Sequence, residues 1–185
     1  MFLAPETHRL RDGGVVTLRS GAEQDAAKLL AAIRGYLRQN DGLVWEPDEQ
    51  QQTESELRVW IVGMLKNDRE LLLLAELDGE IVGNIDFHIG SRRRLRHSGE
   101  FGLAVAAAHR RRGIGRLLLG RMIAWARSVP QIERIGLRAI ATNASAIALY
   151  EEFGFVREGL RGRQIKYADG SYADDLLMGL LIERH

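Results

Sequence analysis

A strand, a helix and a second strand follow one another between residues 101 and 141. Phe101 to Val105 and Ile135 to Ala141 are β-prone runs, and Ile114 to Val129 has the length and spacing of a helix that Pro130 stops. Strands joined through a helix lie parallel in one sheet, with a right-handed crossover. This unit therefore predicts a sheet with at least one parallel pair of strands.

The remaining segments predict antiparallel strands and three further helices. Asp78-Gly79 and Asp169-Gly170 are turn dipeptides that separate strand-like runs. The predicted strands are Val15 to Arg19, Leu71 to Leu77, Glu80 to Ile89, Val156 to Arg163 and Tyr172 to Ile182. The predicted helices run from a Ser20–Glu23 capping box through Leu37, from Asp48 or Thr53 to Leu65, and from Ala144 to Phe153, and the loops are Asn40 to Pro47 and Ser91 to Ser98. The pattern predicts an α/β (α+β) fold, in which a mixed, mostly antiparallel central sheet is flanked by helices on both faces.

Length and composition exclude several classes of protein. The 185 residues fit a single domain, with a core from about residue 15 to 182 and residues 1–14 as an N-terminal extension. The absence of cysteine excludes a disulfide, a thiolate zinc site and an acyl-cysteine intermediate. The most apolar run, Leu71 to Ala75, ends at Glu76 and is far shorter than the ~18 residues of a membrane span. The first ten residues lack the order of a secretory signal, so we expect a cytoplasmic protein without a membrane partner.

The segment from Val105 to Gly115 predicts an anion-binding site. It connects a strand to a helix, and Gly113 and Gly115 allow the backbone to approach a bound group closely. The first amides of a helix have no intrahelical acceptor, and the helix dipole is positive there. Arg110, Arg111 and Arg112 add formal charge, which favours a diphosphate. A dinucleotide-binding turn and a nucleotide P-loop both need residues that are missing, and the competing interpretation is a tight turn with solvated arginines.

Two motifs resemble the signatures of the GNAT superfamily of N-acetyltransferases. The first is Arg110-Arg111-Arg112-Gly113-Ile114-Gly115, between a strand and a helix. The second begins about 30 residues later with Asn143, continues through Leu149-Tyr150 on a helix, and ends in Gly154-Phe155. The resemblance covers about residues 15 to 182, and the element order predicted above agrees with the fold of that family.

The resemblance implies acetyl-CoA as the acetyl donor and no metal ion. The diphosphate would lie on the backbone amides of about Arg111 to Arg116, and the pantetheine arm would lie between the strand ending at Val105 and the strand around Leu137. Those two strands splay apart in the family, so that backbone groups of Leu103 and Val105 would face the ligand. The residues implied to bind the cofactor are Leu103, Ala104, Val105, Arg110, Arg111, Arg112, Gly113, Ile114, Gly115, Arg116, Asn143, Ala146 and Tyr150.

Direct attack of an amine on a thioester needs a proton acceptor, a donor to the carbonyl oxygen and a proton for the departing thiolate. Tyr150 matches the tyrosine that protonates the sulfur in the family, although it also belongs to an apolar helical stripe typical of a core residue. Glu100 is the candidate base, acting through water, and its competing interpretation is a solvated carboxylate at a strand end. The backbone N–H of Val105 is the candidate oxyanion donor.

The acceptor site is predicted from polar residues around the first two helices, the preceding strand and the last hairpin. Asn84, Asp86 and His88 alternate with apolar residues and share one face of a strand, which would line either the acceptor pocket or an exposed sheet face. We do not expect a metal ion at Asp86 and His88. The other candidate residues are Trp45, Glu46, Asp48, Glu49, Asp169, Asp174 and Asp175. Their carboxylates favour a small cationic amine of the polyamine kind or a protein N-terminus as the acceptor.

Two other functional classes compete with an enzyme. One is a catalytically silent acyl-CoA-binding sensor on the same fold. The other is a nucleic-acid-binding protein, which would use the arginine clusters at residues 92–96 and 110–112. Because 25 acidic residues offset 26 basic ones and no basic face with stacking aromatics is visible, we expect no nucleic-acid partner. The family resemblance allows a homodimer. The acceptor, the acyl chain length and the identity of the base stay open.

Overall fold

The computed structural model describes residues 2–39 and 42–183. Its strands form one eight-stranded sheet, and helices cover both faces. The strands are β1 (Glu6–Arg9), β2 (Val15–Ser20), β3 (Leu71–Leu77), β4 (Glu80–Ile89), β5 (Ser98–Val105), β6 (Arg134–Ile140), β7 (Val156–Lys166) and β8 (Tyr172–Leu181). The α-helices are α1 (Ala26–Arg38), α2 (Glu54–Leu65), α3 (Ile114–Ser128) and α4 (Ala144–Glu152).

The strand order is β1-β2-β3-β4-β5-β6-β8-β7. All neighbouring strands are antiparallel except β5 and β6, which α3 connects and which are parallel. The last strand, β8, lies between β6 and β7, which leaves β7 at the edge of the sheet. The predicted mixed, mostly antiparallel sheet with one parallel pair is confirmed.

Two hydrophobic cores hold the helices to the sheet. On one face, α3 and α4 pack on the sheet, where Phe87 of β4 and Leu118 and Met122 of α3 are fully buried. On the other face, α1 and α2 pack on Leu72 and Leu74 of β3. Alternation along β3 sends neighbouring leucines to opposite faces, and both faces are covered, which is why residues 71–75 of this strand are all apolar.

The sheet begins earlier than the sequence analysis expected. Residues 6–9 lie within the predicted N-terminal extension but form β1, which pairs with β2 from Glu6 opposite Leu18 to Arg9 opposite Val15. The carboxylate of Glu6 also accepts from Arg121 of α3 at 2.8 Å. The sequence of this short edge strand is mostly charged and polar, so its pattern did not predict a strand.

The capping box predicted at Ser20 and Glu23 is wrong. Ser20 is the last residue of β2, where it pairs with Leu73, and its hydroxyl accepts from the backbone N–H of Leu3 at 2.9 Å. A short 3-10 turn follows, and the carboxylate of Asp25 accepts from the N–H of Ala22 at 2.8 Å. Because strand pairing holds Ser20 outside the helix, the N-cap residue of α1 is Asp25 instead.

The start of the second helix is settled in favour of Thr53. Its hydroxyl accepts from the N–H of Glu56 at 3.2 Å, and the carboxylate of Glu56 accepts from the N–H of Thr53 at 2.7 Å, which is a reciprocal capping box. Asp48 belongs instead to a separate 3-10 turn, Pro47–Glu49. Of the loop predicted from Asn40 to Pro47, the first two residues lie outside the described part of the chain.

Gly99 of β5 is a position where any side chain should destabilise the fold. A Cβ there would overlap the ring of Phe87 and lie 2.5 Å from the carbonyl oxygen of His88. We expect Gly99→Ala to lower the free energy of unfolding by about 1–3 kcal/mol, because an overpacked core must shift. In the matched variant Gly63→Ala, the new methyl group on α2 meets nothing within 4 Å and should raise that free energy by about 0.5–1 kcal/mol. Urea denaturation of both variants tests this, and equal effects would contradict it.

Candidate active site

The parallel pairing between β5 and β6 ends soon after it starts. Paired residues are Ser98 with Arg134, Gly99 with Ile135 and Glu100 with Gly136. Beyond Glu100, β5 continues to Val105 and β6 continues to Ile140, but the two strands are no longer paired. The two strands therefore splay apart, as expected, and the gap between residues 101–105 of β5 and 137–140 of β6 is called the splay. The sequence prediction had started β5 at Phe101 and so missed the three residues that make the pairing.

Backbone groups of β5 point into the gap left by the splay. The N–H of Ala106 donates to the carbonyl of Val82 next to β4, at 2.9 Å. Because backbone groups alternate in direction along a strand, those of Val105 and Leu103 point away from β4, toward β6. A buried backbone donor or acceptor needs a partner, and here a ligand inserted between the strands would supply it.

The connection from β5 to α3 curls its backbone around a small concave surface. Arg111 has φ +63° and Gly113 has φ +96°, both in the left-handed region. The N–H groups of Ile114, Gly115 and Arg116 open α3 and have no acceptor within the helix. Left-handed residues followed by a helix N-terminus aim several amides at one point, which favours an anion.

Three of the four arginine side chains around this turn contact other parts of the protein. The Nε of Arg110 donates to the carbonyl of Val105 at 3.0 Å, which ties the loop to the end of β5. The guanidinium of Arg112 lies 2.5 Å from the carboxylate of Asp12 and contacts His109, and it holds the pKa of Asp12 below its usual range. Arg116 makes a bidentate ion pair with Glu152 of α4. Arg111 remains directed into the cleft described below.

The second motif places Asn143 at the N-terminus of α4. Its side-chain oxygen accepts from the N–H of Ala146 at 3.2 Å and from the hydroxyl of Ser145 at 3.3 Å. The cap therefore uses the N–H of Ala146, and it leaves the amide nitrogen of Asn143 directed at the loop around Gly42. Asn143 both starts the helix and presents a donor to the cleft.

Tyr150 of α4 is buried against the splay. Its ring makes edge-on contacts with Phe101 of β5 and with Phe155, at centroid distances of 5.7 and 6.0 Å. Burial raises its pKa to about 12, because an apolar environment disfavours the phenolate. The phenol therefore keeps its proton at neutral pH. The core position and the catalytic interpretation of Tyr150 are compatible, since the residue is packed at the point where the strands part.

The opposite face of the same strands is polar. Asn84, Asp86 and His88 of β4 pair with Ala104, Gly102 and Glu100 of β5, so their side chains share a face. Gly102 leaves space that the carboxylate of Asp86 occupies. The carboxylate of Asp86 accepts from His88 at 3.1 Å, and the ring of His88 lies 5.8 Å from that of Trp60 in α2.

Glu100 and Tyr150 lie on opposite faces of the parting strands. The side chain of Glu100 is exposed and lies beside Gly136 of β6, on the polar face. Phe101, the next residue of β5, carries the contact with Tyr150 on the apolar face. A group placed in the splay just after Glu100 would have a carboxylate on one side and a phenol on the other.

A cleft of about 840 Å³ opens at the carboxyl end of β6. Arg111, Asn143, Glu46 and Asp169, four of the residues predicted from the sequence, line it together. Sequence reasoning missed the other lining residues, which come from the loop after α1, the end of β6, the start of α4 and the β7–β8 turn: Gly42, Ile140, Thr142, Ala144, Ser145, Tyr167, Ala168 and Ser171. Only alternation along β6 could have singled out one of them, Ile140. The predicted Trp45 is exposed nearby, and Asn84, Asp86 and His88 lie on the sheet face rather than in the cleft wall.

The three acidic residues of the last hairpin differ in what their carboxylates contact. The carboxylate of Asp169, which lines the cleft, accepts from Ser171, and that of Asp174 accepts from the N–H of Arg163, so both of these donors are uncharged. Asp175 is 1% exposed and is paired with Arg138 at 2.8 and 2.7 Å. Of the three carboxylates, only that of Asp169 lies in the cleft wall, and the preference for a cationic amine stays a prediction.

Among residues 2–39 and 42–183, no cluster of three metal-ligating side chains occurs. Within the same described ranges, no helix is both long and apolar enough to cross a membrane.

Comparison with known sequences identifies the family. A profile described as the acetyltransferase (GNAT) family matches residues 26–155, which is more than half of the chain. The chain belongs to this family. Among curated relatives, it is 32% identical over 106 residues to the L-amino acid N-acetyltransferase AaaT of Escherichia coli, covering 57% of this chain and 65% of that protein. It is 30% identical over 91 residues to a spermidine N(1)-acetyltransferase of Vibrio cholerae, covering 49% of this chain and 52% of that protein.

These curated matches each cover less than two thirds of the relative. Likeness in three dimensions extends further. The crystal structure of a GNAT acetyltransferase from Streptococcus pneumoniae superposes with a TM-score of 0.86 at 30% identity, covering 91% of this chain and 99% of that one. The GNAT resemblance inferred from the two sequence motifs is confirmed.

The Asp86–His88 pair should make stability depend on pH. The hydrogen bond to Asp86 raises the pKa of His88 above its usual range, partial burial opposes the shift, and Glu70 adds a smaller attraction. Because the folded pKa is the higher one, the pair stabilises fully below the unfolded pKa of about 6.5, and this stability is lost as pH rises through the folded pKa. We therefore expect Asp86→Asn to lower the free energy of unfolding at pH 5.5, by less than about 1 kcal/mol for a partly exposed pair, and much less at pH 9.

Urea denaturation at the two pH values measures this difference. Asp48→Asn removes one negative charge from an exposed 3-10 turn and is the control for net charge. A loss of stability that is equal at both pH values for Asp86→Asn would show that the carboxylate acts without His88.

Proposed function

We propose that this protein is an acetyl-CoA-dependent N-acetyltransferase that acetylates a primary amine. The observation that carries the proposal is the end of β5–β6 pairing at Glu100 and Gly136, with an exposed carboxylate on one face and a buried phenol on the other. Membership of the acetyltransferase family supports the same reaction class.

The described residues fit the cofactor at both of its ends. The concave backbone from Arg111 to Arg116 offers several amides to a diphosphate, and the backbone of Leu103 and Val105 offers donors and acceptors to an amide-containing arm. The adjoining cleft of about 840 Å³ lies in the usual range for small-molecule sites. The side chains of Arg110, Arg112 and Arg116 contact other parts of the protein, and their expected contacts with the cofactor stay predictions.

When bound, acetyl-CoA supplies an acetyl thioester: the amine nitrogen bonds to the acetyl carbon, the carbon–sulfur bond breaks, and the amine proton is lost while the sulfur gains one. Glu100 accepts the amine proton through a water, because its carboxylate is exposed on the polar face. The N–H of Val105, which points into the splay, donates to the acetyl oxygen.

Tyr150 is the proton donor to the sulfur. Its phenol, with a pKa of about 12, is a weaker acid than a typical thiol with a pKa of about 8.5, so complete transfer is uphill and the tyrosinate regains a proton from water. A buried phenol acts first as a hydrogen-bond donor to the charge that develops on sulfur, and such a donor counts for more in an environment that excludes water.

The acceptor is an amine, and two chemical classes are supported by the relatives. One relative is named for L-amino acids, which carry a carboxylate near the amine, and another is named for spermidine, which carries further positive charges. A protein N-terminus, expected from the sequence, would be a third. The cytoplasmic location, the homodimer, and the lack of nucleic-acid and membrane partners stay predictions.

Calorimetry with acetyl-CoA and coenzyme A tests the cofactor site. We expect the wild type to bind both, and Gly113→Ala to weaken binding at least tenfold, because a left-handed L-residue distorts the amides that open α3. The matched control is Gly79→Ala in the β3–β4 turn, which has φ +81° and equally open space. Each variant should lose about 1–2 kcal/mol of stability, but only Gly113→Ala should lose affinity. Absence of coenzyme A binding by the folded wild type would refute the proposed function.

Steady-state kinetics tests the role of Tyr150. We expect Tyr150→Phe to lower kcat at least tenfold while acetyl-CoA affinity, measured by calorimetry, changes little, since only the hydroxyl proton is removed. Tyr36→Phe is the control, because its hydroxyl is also buried and has no partner among the described residues. It should leave kcat within about threefold. A wild type that binds acetyl-CoA but transfers nothing to any amine would indicate the silent sensor instead.

A further inference from the structure

Arg138 of β6 is a fixed cation on the polar face of the splay. It lies two residues beyond Gly136, the last residue of β6 that pairs with β5, so it projects on the same face as Glu100. The space above Gly136 is occupied by the side chain of Glu100 and by the guanidinium of Arg134, which is paired with Glu158. Arg138 also lies two residues before Ile140, which lines the 840 Å³ cleft.

A buried carboxylate holds this arginine in place. Asp175 of β8 is 1% exposed, and one of its oxygens accepts from the Nε of Arg138 at 2.8 Å and lies 2.7 Å from its Nη2. Asp175 pairs with Ile140 across the sheet, while Arg138 pairs with Leu177, so the guanidinium leans along β6 toward the cleft. A buried carboxylate is costly without a partner, which makes this orientation of Arg138 strongly preferred.

The guanidinium has donors left over. Its side chain is 46% exposed, and the two contacts with Asp175 use only the edge formed by Nε and Nη2. An arginine carries five N–H donors in a planar fork that matches a carboxylate. The remaining donors of Arg138 are open to a ligand.

The local charge also favours an anion. A second arginine, Arg161 of β7, lies 3.9 Å from the same oxygen of Asp175. Two guanidinium groups therefore share one carboxylate, which leaves a net charge of about +1 on this part of the face. A polycation such as spermidine would be repelled there, whereas Glu100 can receive an ammonium group on the other side of Gly136.

We propose that Arg138 binds the carboxylate of the acceptor and thereby selects small α-amino-acid-type amines over polyamines. The proposal rests on the proposed N-acetyltransferase function and names the acceptor class for that site. Glu100 and Arg138 project from positions about two residues apart, roughly 7 Å along the strand. That separation suits an amine and a carboxylate a few bonds apart in one small molecule. Arg138 is a specificity-determining residue, and Glu100 and Tyr150 keep the chemical roles.

The test compares acceptors that differ only in the carboxylate. Initial rates at saturating acetyl-CoA are measured for a panel of L-amino acids, each beside its carboxamide, and for spermidine. We expect the wild type to prefer amino acids. Arg138→Gln should lower kcat/KM for the amino acids at least tenfold, mainly through KM, and should change kcat/KM for the carboxamides less than threefold. For each acceptor, kcat/KM of the variant is divided by that of the wild type. The different basicity of an amino acid and its carboxamide then cancels.

Two further variants separate selectivity from folding. Arg161→Gln, at the more distant arginine, also removes one positive charge from this face and is the matched control: it should lower kcat/KM for the amino acids much less than Arg138→Gln does. The double variant Arg138→Gln with Asp175→Asn removes the buried carboxylate charge together with its partly exposed arginine, so it leaves no unpaired charge buried and should fold even where Arg138→Gln does not. It should show the same loss of preference for amino acids.

Three results would overturn the inference: an equal loss for amino acids and carboxamides in the Arg138 variants, a wild-type preference for spermidine or carboxamides, or turnover of no amino acid in the panel. Calorimetry on the same preparations distinguishes this failure from failure of the proposed function. If Arg138→Gln leaves acetyl-CoA binding unchanged and lowers kcat/KM for amino acids and carboxamides equally, only the role of Arg138 is rejected. A folded wild type that binds no acetyl-CoA rejects both.

Discussion

Three residue pairs of parallel sheet, from Ser98–Arg134 to Glu100–Gly136, determine where this protein can hold a ligand. They join the two halves of the sheet, and where they stop, backbone groups of β5 are left without a partner strand. Unpaired backbone groups are costly in an interior, so a gap of this kind persists only when water or a ligand fills it. The anion-binding turn before α3, the phenol of Tyr150 and the carboxylate of Glu100 all take their positions from this point.

Charged groups around the gap are arranged by contacts that hold loops and strands together. Arg110, Arg112 and Arg116 look like phosphate ligands in the sequence, yet their side chains bind Val105, Asp12 and Glu152. The backbone amides that open α3 have no acceptor within the helix, and their positions do not depend on flexible side chains.

On the polar face, the buried carboxylate of Asp175 holds an arginine in place. Counted along the sequence, Asp169, Asp174 and Asp175 make the last hairpin acidic. In the structure each is engaged, and Asp175 orients Arg138 beside the splay. The net effect on that face is positive, because Arg161 also lies near Asp175. A carboxylate can therefore contribute to binding an anion when it is buried and holds an arginine.

Local signals in the sequence were sufficient for the order of the elements, the parallel pair, the turn at Gly113 and the helix that carries Tyr150. Each depends on residues close together in the chain: strand runs, turn glycines, the spacing of apolar residues and a proline stop. Tertiary structure alone decided that residues 6–9 join the sheet, that Ser20 stays in a strand, that β5 pairs through Ser98–Glu100, and that Asp175 is buried against Arg138. These outcomes join segments far apart in sequence, and their free energy comes from partners that no local pattern contains.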